Sequence, residues 1–394
     1  HRSLRIGTKM ENGKPPLFIL AVDWGKDAKK RAAYQANVSE RRIQRIAFDG
    51  SLMHLIQHAK GLASPTLIGI DAAIGFPHAA WQNLTHNHQT PSDNFMDFLL
   101  GPHLPNDFFD SVSDPEHWSP AHPFIKPPRK WSRKAFEEAS DGGFYRIIDS
   151  ALKGNPIFIT SGMPGTVGSG TRALWQELIS LRQSAEFSVW PFHGKLGTLL
   201  HHDHPTIAEI YPKACYGLAL SDSLPANLLS LAKTRRETRE AALTKLLKSN
   251  WIKEFHVEIF DVHDARSNED DFDALMSAAA LLRLFLERAP IEDETGPYLP
   301  IEGDVLGAAS VITGASKTFP SPSRRPTKTS DSVPSTKVFS CPIPGCNKVF
   351  SGSRGGWDAH IASIKRHPNW HHEATDAKVR KRLFQEEYPG WFRN

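Results

Sequence analysis

The chain has 394 residues, of which 40% are hydrophobic and 23% are charged, enough for one large domain and a smaller one. No apolar run reaches the length of a membrane span, and the first residues lack the charged-then-apolar pattern of a signal peptide, so we expect no membrane partner. The 3 cysteines form no disulfide framework and indicate a reducing, cytoplasmic setting.

Charge is distributed unevenly along the chain. From Ala315 to the end there are 14 Lys and Arg against 6 Asp and Glu, a net charge of +8, whereas the preceding residues have a net charge of −4. A mildly acidic body with a basic tail predicts that the tail meets a polyanion. The alternative is a soluble tail whose charge is incidental.

Two buried strands, each ending in an aspartate, are predicted early in the chain. The apolar run 16–22 ends in Asp23, and the run 65–70 ends in Asp71. Two strands and a helix are predicted between them, over 32–38, 42–48 and 51 to about 63. This order predicts a mixed sheet in which the two apolar strands are parallel neighbours. Because chemistry gathers at the carboxyl ends of such strands, both aspartates are candidate site residues.

A segment rich in Pro, His and Trp, from about 78 to 156, is predicted to be an insertion with short helices over 132–139 and 145–152. A strand over 157–160, a glycine-rich turn and a helix over 171–183 follow it. They resemble a phosphate cradle, but Thr171 and Arg172 stand where a P-loop requires Lys-Ser/Thr. We predict a close-packed turn that lends backbone amides or Arg172 to a substrate phosphate. Nucleotide binding is the weaker alternative.

Strands are also predicted over 187–192 and 206–212, and the second carries Glu209 among apolar residues. A basic amphipathic helix over 232–249 is predicted to present a solvated face, with nucleic-acid contact as the alternative. A strand-like stretch over 255–262 follows it.

A buried helix over 267–287 is the central element of the predicted fold. From 274 to 286 its only polar residues are Ser277 and Arg283, and Ser267 is the predicted N-cap. Asp270 and Asp273 are three residues apart and share one face of this helix. Their mutual repulsion predicts a divalent cation between them, whereas capping and the helix dipole alone explain Asp271.

The tail has the pattern of a two-Cys/two-His zinc finger. Residues 315–337 are Ser, Thr, Pro, Lys and Arg with little apolar content, which predicts a disordered linker. Cys341, Cys346, His360 and His367 then follow with the spacing C-x4-C-x13-H-x6-H, and they are the predicted ligands of a structural Zn²⁺. Two of the gaps are one residue longer than usual, and His371 or His372 is the alternative to His367.

The predicted finger carries four basic residues, which favour nucleic acid over a protein partner: Lys348, Arg354, Lys365 and Arg366. An amphipathic helix over 374–387 is predicted to follow it. The expected division is therefore a domain over 15–312, the linker, a finger over 338–372 and a C-terminal helical segment over 373–394.

The body resembles a predicted nuclease family of ribonuclease H-like fold, catalogued as domain of unknown function number 429. The resemblance rests on six short stretches in the same order, 21–25 (AVDWG), 68–77 (IGIDAAIGFP), 167–170 (VGSG), 189–192 (VWPF), 208–212 (AEIYP) and 270–275 (DDFDAL). The acidic pattern is also similar to that of RuvC-type resolvases. The resemblance implies an α/β fold, a ribonuclease H-like mixed sheet flanked by helices, followed outside the resemblance by a small ββα finger.

By position, the resemblance implies that Asp23, Asp71, Asp270 and Asp273 bind metal, with Glu209 as a further catalytic candidate. Four such carboxylates suit two Mg²⁺ or Mn²⁺ ions about 4 Å apart. Such a pair of ions activates a water molecule for the hydrolysis of a phosphodiester. We therefore expect a metal-dependent nuclease acting on DNA or RNA, with DNA favoured as the nucleic-acid partner. The basic residues after Asp23 are expected to meet the scissile strand: Lys26, Lys29, Lys30 and Arg31. The alternatives are a non-catalytic adaptor that binds nucleic acid or protein and, less favoured, an actin-like ATP-dependent phosphotransferase.

Overall fold

The computed structural model describes residues 17–88, 92–127, 138, 143–161, 166–292, 298–319, 338–344, 346, 349–351, 367, 369–371, 373–374 and 376–388. The chain divides into two compact units, residues 1–322 and 323–394, which we call the N-terminal and the C-terminal unit. None of the helices in these described ranges has both the length and the apolar composition of a membrane span.

The N-terminal unit is an α/β structure built on a mixed sheet. Its strands within the described residues are β1 (Phe18–Asp23), β2 (Ala32–Asn37), β3 (Arg42–Arg45), β4 (Thr66–Ile70), β5 (Ser188–Val189), β6 (Thr206–Glu209), β7 (Ala226–Ser230), β8 (Glu258–Ile259) and β9 (Val311–Thr318). Seven of them form one sheet in the order β5-β6-β4-β1-β2-β3-β8, and β7 and β9 form a separate parallel pair.

The centre of the sheet confirms the predicted pairing of the two apolar strands. β1 and β4 are parallel neighbours with Val22 opposite Ile70, while β2 lies antiparallel to both β1 and β3. The backbone N–H of Asp71 donates to the carbonyl of Val22 at 3.0 Å. Asp23 and Asp71 therefore leave the sheet side by side at the same edge.

Helices flank this sheet. They are α1 (Leu52–Gly61), α2 (His78–His88), α3 (Phe95–Leu100), α4 (Ile147–Ala151), α5 (Gly168–Leu181), α6 (Leu196–Leu199), α7 (Pro212–Leu220), α8 (Arg236–Lys248), α9 (Asn250–Glu254), α10 (Val262–Ser267), α11 (Glu269–Leu286) and α12 (Leu299–Glu302).

The N-terminal unit has two hydrophobic cores because successive side chains of β1 point to opposite faces of the sheet. Ile19 and Ala21 join the core that contains α7, α8 and α11, whereas Leu20 and Val22 join the core that contains α1, α3 and α5. α11 contacts β1, β2 and α7, and every side chain from Asp271 to Leu284 is buried. The predicted buried helix is thereby confirmed.

Several predicted boundaries are wrong. The residues 157–160 form no strand beyond a single bridge between Ile125 and Ile159. The stretch 255–262 contains only the two-residue β8, since His256 and Asp261 adopt positive φ angles of 51° and 57° that interrupt an extended chain. Ser267 ends α10, and Asn268 is the N-cap of α11, where its side chain accepts a hydrogen bond from the N–H of Asp270 at 3.0 Å.

The insertion and the predicted linker also differ from expectation in part. Of the two predicted insertion helices, the second appears as α4, and the first lies outside the described residues apart from residue 138. β9 continues to Thr318, so the first four residues of the predicted disordered linker belong to a strand, because β7 offers them a parallel partner. Residues 320–337 lie outside the described residues.

The C-terminal unit contains an antiparallel hairpin of β10 (Val338–Ser340) and β11 (Val349–Ser351), and a helix α13 (Ala377–Glu387) that confirms the predicted terminal helix. Its small core comprises Cys341, Ile343, Trp370 and Phe384. Residues 352–366 of the predicted finger lie outside the described residues.

Candidate metal centres

The structure brings the four predicted aspartates of the N-terminal unit together. Asp23 and Asp71 stand at the adjacent ends of β1 and β4, and the first turns of α11 add Asp270 and Asp273. Asp270 lies within side-chain hydrogen-bonding reach of Asp23. We call these four residues the acidic cluster.

Burial raises the pKa of each carboxyl group in the acidic cluster, and repulsion by other members of the cluster adds to this effect for Asp23, Asp71 and Asp273. Burial has the largest effect on Asp23, and the negative charges of Asp273 and Asp71 add to it, so its pKa lies well above the usual range. Burial raises the pKa of Asp71 to about 7. Burial is also the largest cause of the raised pKa values of Asp270 and Asp273. Ionisation of these four groups is therefore less favourable in the folded protein than in water.

Lys233 is a member of this site that the sequence analysis missed. Its ammonium group forms an ion pair with Oδ2 of Asp273, while the hydroxyl of Tyr216 donates to Oδ1 of the same carboxylate. Asp273 is thus held from two sides. The sequence placed Lys233 near the start of a solvated basic helix, but α8 begins only at Arg236, which leaves Lys233 in a turn beside the cluster.

Glu209 has a different environment from the acidic cluster. Both of its oxygens accept hydrogen bonds from the guanidinium of Arg146 at 2.6 Å, and the N–H of Ile74 donates to Oε2 at 2.6 Å. Arg146 is fully buried and also binds both oxygens of Asp149. Glu209 therefore anchors the loop after β4, and its place among the candidate catalytic residues stays a prediction. No sequence pattern singles out Arg146.

The basic residues after Asp23 divide into two groups. Lys26, Lys29 and Lys30 are exposed to solvent, as nucleic-acid contact requires. Arg31 is instead buried: it stacks on Trp24 and forms an ion pair with Glu177 at 2.7 Å. The prediction that Arg31 meets a scissile strand is therefore wrong for this structure, because its guanidinium faces the interior.

The glycine-rich turn has the packing role that its sequence favoured. A Cβ atom on Gly170 would lie 2.9 Å from the carbonyl oxygen of Trp24, so only glycine lets α5 approach the end of β1 this closely. Arg172 is half-buried and donates to the hydroxyl of Ser111 at 2.8 Å. Residues 162–165 of the turn lie outside the described residues.

A second candidate metal centre lies in the C-terminal unit. The ligand atoms of Cys341, Cys346 and His367 lie within 4.8 Å of one another. Among the described residues, no other group of three His, Cys, Asp or Glu side chains has its ligand atoms this close together. Sγ of Cys341 is 3.6 Å from Nε2 of His367. The predicted fourth ligand, His360, and the basic residues Lys348, Arg354, Lys365 and Arg366 are outside the described residues.

Helix α13 supports the residues around this centre. The buried Arg380 donates to the carbonyl of His371 at 2.7 Å and to that of His367 at 3.4 Å, and its guanidinium lies over Trp370. His371 forms an ion pair with Glu387, which favours His367 over His371 as the ligand. The sequence predicted α13 but not the hydrogen bonds from its Arg380 to the carbonyls of His367 and His371.

Comparisons with family models, with curated proteins and with solved structures found no match to this chain.

The raised pKa of Asp71 predicts a pH-dependent stability in buffer that contains zinc but no other divalent metal. Below its ordinary pKa of 3.8 the group is neutral in both the folded and the unfolded state. As the pH rises from about 4 to about 7, Asp71 loses its proton in the unfolded state but keeps it in the folded state, and this difference lowers the free energy of unfolding. We expect the Asp71→Asn variant to gain about 2 to 4 kcal/mol relative to the native chain between pH 4 and pH 8. Chemical denaturation at several pH values measures this difference, and a gap that does not widen with pH would contradict it.

Proposed function

We propose that the protein is a divalent-metal-dependent nuclease that hydrolyses phosphodiester bonds of nucleic acid, DNA in preference to RNA. One observation carries the proposal: four aspartates from two strand ends and one helix lie near one another, close enough that Asp71, Asp270 and Asp273 all act on Asp23. We further propose that the N-terminal unit has the ribonuclease H-like topology implied by the sequence resemblance. The neighbouring order β4-β1-β2-β3, with α1 between β3 and β4, supports it.

The donor chemistry of the acidic cluster suits Mg²⁺ or Mn²⁺, but no three of its carboxylates have oxygens within 4.8 Å of one another, so a single ion bound by three of them requires these side chains to move closer together. Carboxylate oxygens are the hard ligands that these ions prefer, and a bound cation would favour the ionised form of carboxyl groups whose pKa values burial raises. Such a metal would polarise the phosphodiester and lower the pKa of an attacking water. Asp23, Asp71 and Asp270 are the residues that we expect to hold it.

The remaining residues orient the substrate and support the cluster. The exposed Lys26, Lys29 and Lys30 lie in the chain directly after Asp23, where they would contact phosphates of the bound strand. Tyr216 and Lys233 fix the carboxylate of Asp273. Gly170 of α5 packs against the carbonyl of Trp24, the residue directly after Asp23.

We propose that the C-terminal unit is a zinc finger that binds nucleic acid and raises the local concentration of substrate. Two thiolates and an imidazole within 4.8 Å of one another suit zinc better than magnesium. The net charge of +8 from Ala315 onwards favours a polyanionic partner.

Zinc content tests the finger directly. We expect one Zn²⁺ per chain in the native protein and none in the Cys341→Ser variant, because a thiolate ligand is lost. Metal analysis by mass spectrometry measures the content. The matched control is Cys215→Ser, which changes a buried thiol in the N-terminal unit and should leave the zinc content at one equivalent.

The nuclease proposal is tested with labelled single-stranded and double-stranded DNA and RNA. We expect cleavage by the full chain with Mg²⁺ or Mn²⁺ and none when zinc is the only metal present. Nucleic-acid binding without cleavage in any combination would instead indicate an adaptor. Turnover of ATP without nucleic acid would indicate the phosphotransferase.

A further inference from the structure

Helix α13 packs against both parts of the candidate zinc site in the C-terminal unit. Its Phe384 is fully buried in the same small core as the ligand Cys341. The ring of Phe384 also contacts the ring of Trp370 at a centroid distance of 6.0 Å, and Trp370 in turn contacts the ring of the ligand His367 at 6.3 Å. The helix therefore joins the cysteine part of the ligand set to the histidine part.

Arg380 of α13 holds the backbone that begins at His367. Its side chain is fully buried, and its guanidinium donates to the carbonyl oxygen of His371 at 2.7 Å and to those of His367 and Ala374 at 3.4 Å. The guanidinium carbon lies 4.9 Å from the centre of the Trp370 ring. Three carbonyl groups of the ligand loop therefore converge on one side chain, and one of them belongs to the ligand itself.

Glu387 forms a second connection between α13 and the same loop. One of its oxygens accepts a hydrogen bond from the indole N–H of Trp370 at 2.8 Å, and the other pairs with His371. The predicted finger ended at residue 372, with residues 373–394 as a separate helical segment. These contacts instead make α13 a part of the folded unit that contains the metal ligands.

Metal binding and the packing of α13 should stabilise each other for this reason. A zinc ion fixes the distances among Cys341, Cys346 and His367, and α13 holds the same parts of the chain together. Zinc binds this arrangement more tightly than an open chain, so the packed helix raises the affinity for zinc. Because linked equilibria are reciprocal, bound zinc stabilises the packed helix by the same amount.

We propose that the zinc-binding module extends through α13 and that Arg380 is a positioning residue for the ligand His367. This inference rests on the zinc finger of the proposed function and adds a residue outside its cysteine and histidine pattern. Loss of zinc releases α13 from the ligand loop, and loss of the Arg380 contacts weakens the zinc site.

Zinc affinity tests the role of Arg380. The full chain is titrated with zinc in competition with a chromogenic chelator of known affinity. We expect Arg380→Met to bind zinc about 10- to 100-fold more weakly than the native chain, because residues that orient a metal ligand have effects of this size. The matched control is Arg382→Met on the same helix. Its side chain is 70% exposed and pairs with Glu386 at 3.6 Å, so this variant should keep the native affinity.

Hydrogen exchange followed by mass spectrometry tests the coupling in the opposite direction. We expect the amides of α13 to exchange slowly in the zinc-loaded native chain. Removal of zinc by a chelator under reducing conditions should speed their exchange by at least about tenfold, because the helix loses its packing. The amides of α7 in the N-terminal unit are the internal control, and their exchange should not depend on zinc.

The two measurements separate the failure of this inference from the failure of the finger. Native zinc affinity in Arg380→Met, or an equal loss in Arg380→Met and Arg382→Met, would overturn the positioning role. Exchange of α13 that is the same with and without zinc would overturn the coupling even if Arg380→Met lost affinity, since the arginine would then act on the fold alone. Both results leave the finger intact, whereas a native chain that binds no zinc would overturn the finger itself.

Discussion

Replacing Asp23 by asparagine is expected to lower the rate of metal-dependent cleavage by at least about a thousandfold. Asp23 is the carboxylate on which the charges of the three other aspartates all act, so under the proposed mechanism its loss removes a central metal-binding oxygen. The same change removes a carboxyl group whose ionisation is disfavoured by burial and by neighbouring negative charges. The metal-free variant should therefore be at least as stable as the native chain at neutral pH.

Cleavage assays with Mn²⁺ and thermal unfolding without it measure the two effects together. The matched control is Asp222→Asn, which makes the same chemical change at an exposed position and should alter neither quantity. Cleavage by the Asp23→Asn variant within tenfold of the native rate would refute a catalytic role for the acidic cluster. A loss of activity accompanied by a lower unfolding temperature would point to a structural role for Asp23 instead.

Replacing Arg146 by methionine is expected to cost about 3 to 5 kcal/mol of the free energy of unfolding. The guanidinium is fully buried and pairs with both Glu209 and Asp149, whose side chains are 7% and 9% exposed. Removing it leaves two buried carboxylates without their counter-charge. It also removes the hydrogen bonds to the carbonyls of Ile74 and Glu302, which hold two distant loops together.

Denaturant unfolding measures this cost, and Arg236→Met is the matched control. Arg236 forms an ion pair with Glu240 at 2.9 Å, but its side chain is 68% exposed, so we expect a loss below about 1 kcal/mol. Adding Glu209→Gln to Arg146→Met should recover about 1 to 2 kcal/mol, because one buried charge is removed. Equal losses for Arg146→Met and Arg236→Met would show that burial does not govern these pairs.

The sequence allowed the framework of the acidic cluster to be predicted because its signals are local. Two continuous apolar runs indicated buried parallel strands, and the aspartate that follows each run marked the strand end. The three-residue spacing of Asp270 and Asp273 on an otherwise apolar helix placed both on one face. Each of these inferences needs only neighbouring residues and a regular backbone geometry.

The partners of these residues could not be predicted because they come from irregular segments. Lys233 lies 40 residues before Asp273 in a turn without hydrophobic periodicity, and its role depends on where Arg239 anchors that turn. Arg146 lies in the insertion and pairs with Glu209, 63 residues away. Long polar side chains in loops carry no periodic signal, so their contacts emerge only from the folded chain.

The assembly of the acidic cluster has a consequence for protein synthesis. β1 and β4 can pair once the first 70 residues have emerged, and this places only Asp23 and Asp71 at the sheet edge. The helix that supplies Asp270 and Asp273 follows about two hundred residues later, in keeping with the long-range contacts typical of parallel sheets. A ribosome-bound chain would therefore lack a complete acidic cluster until most of the N-terminal unit has been translated.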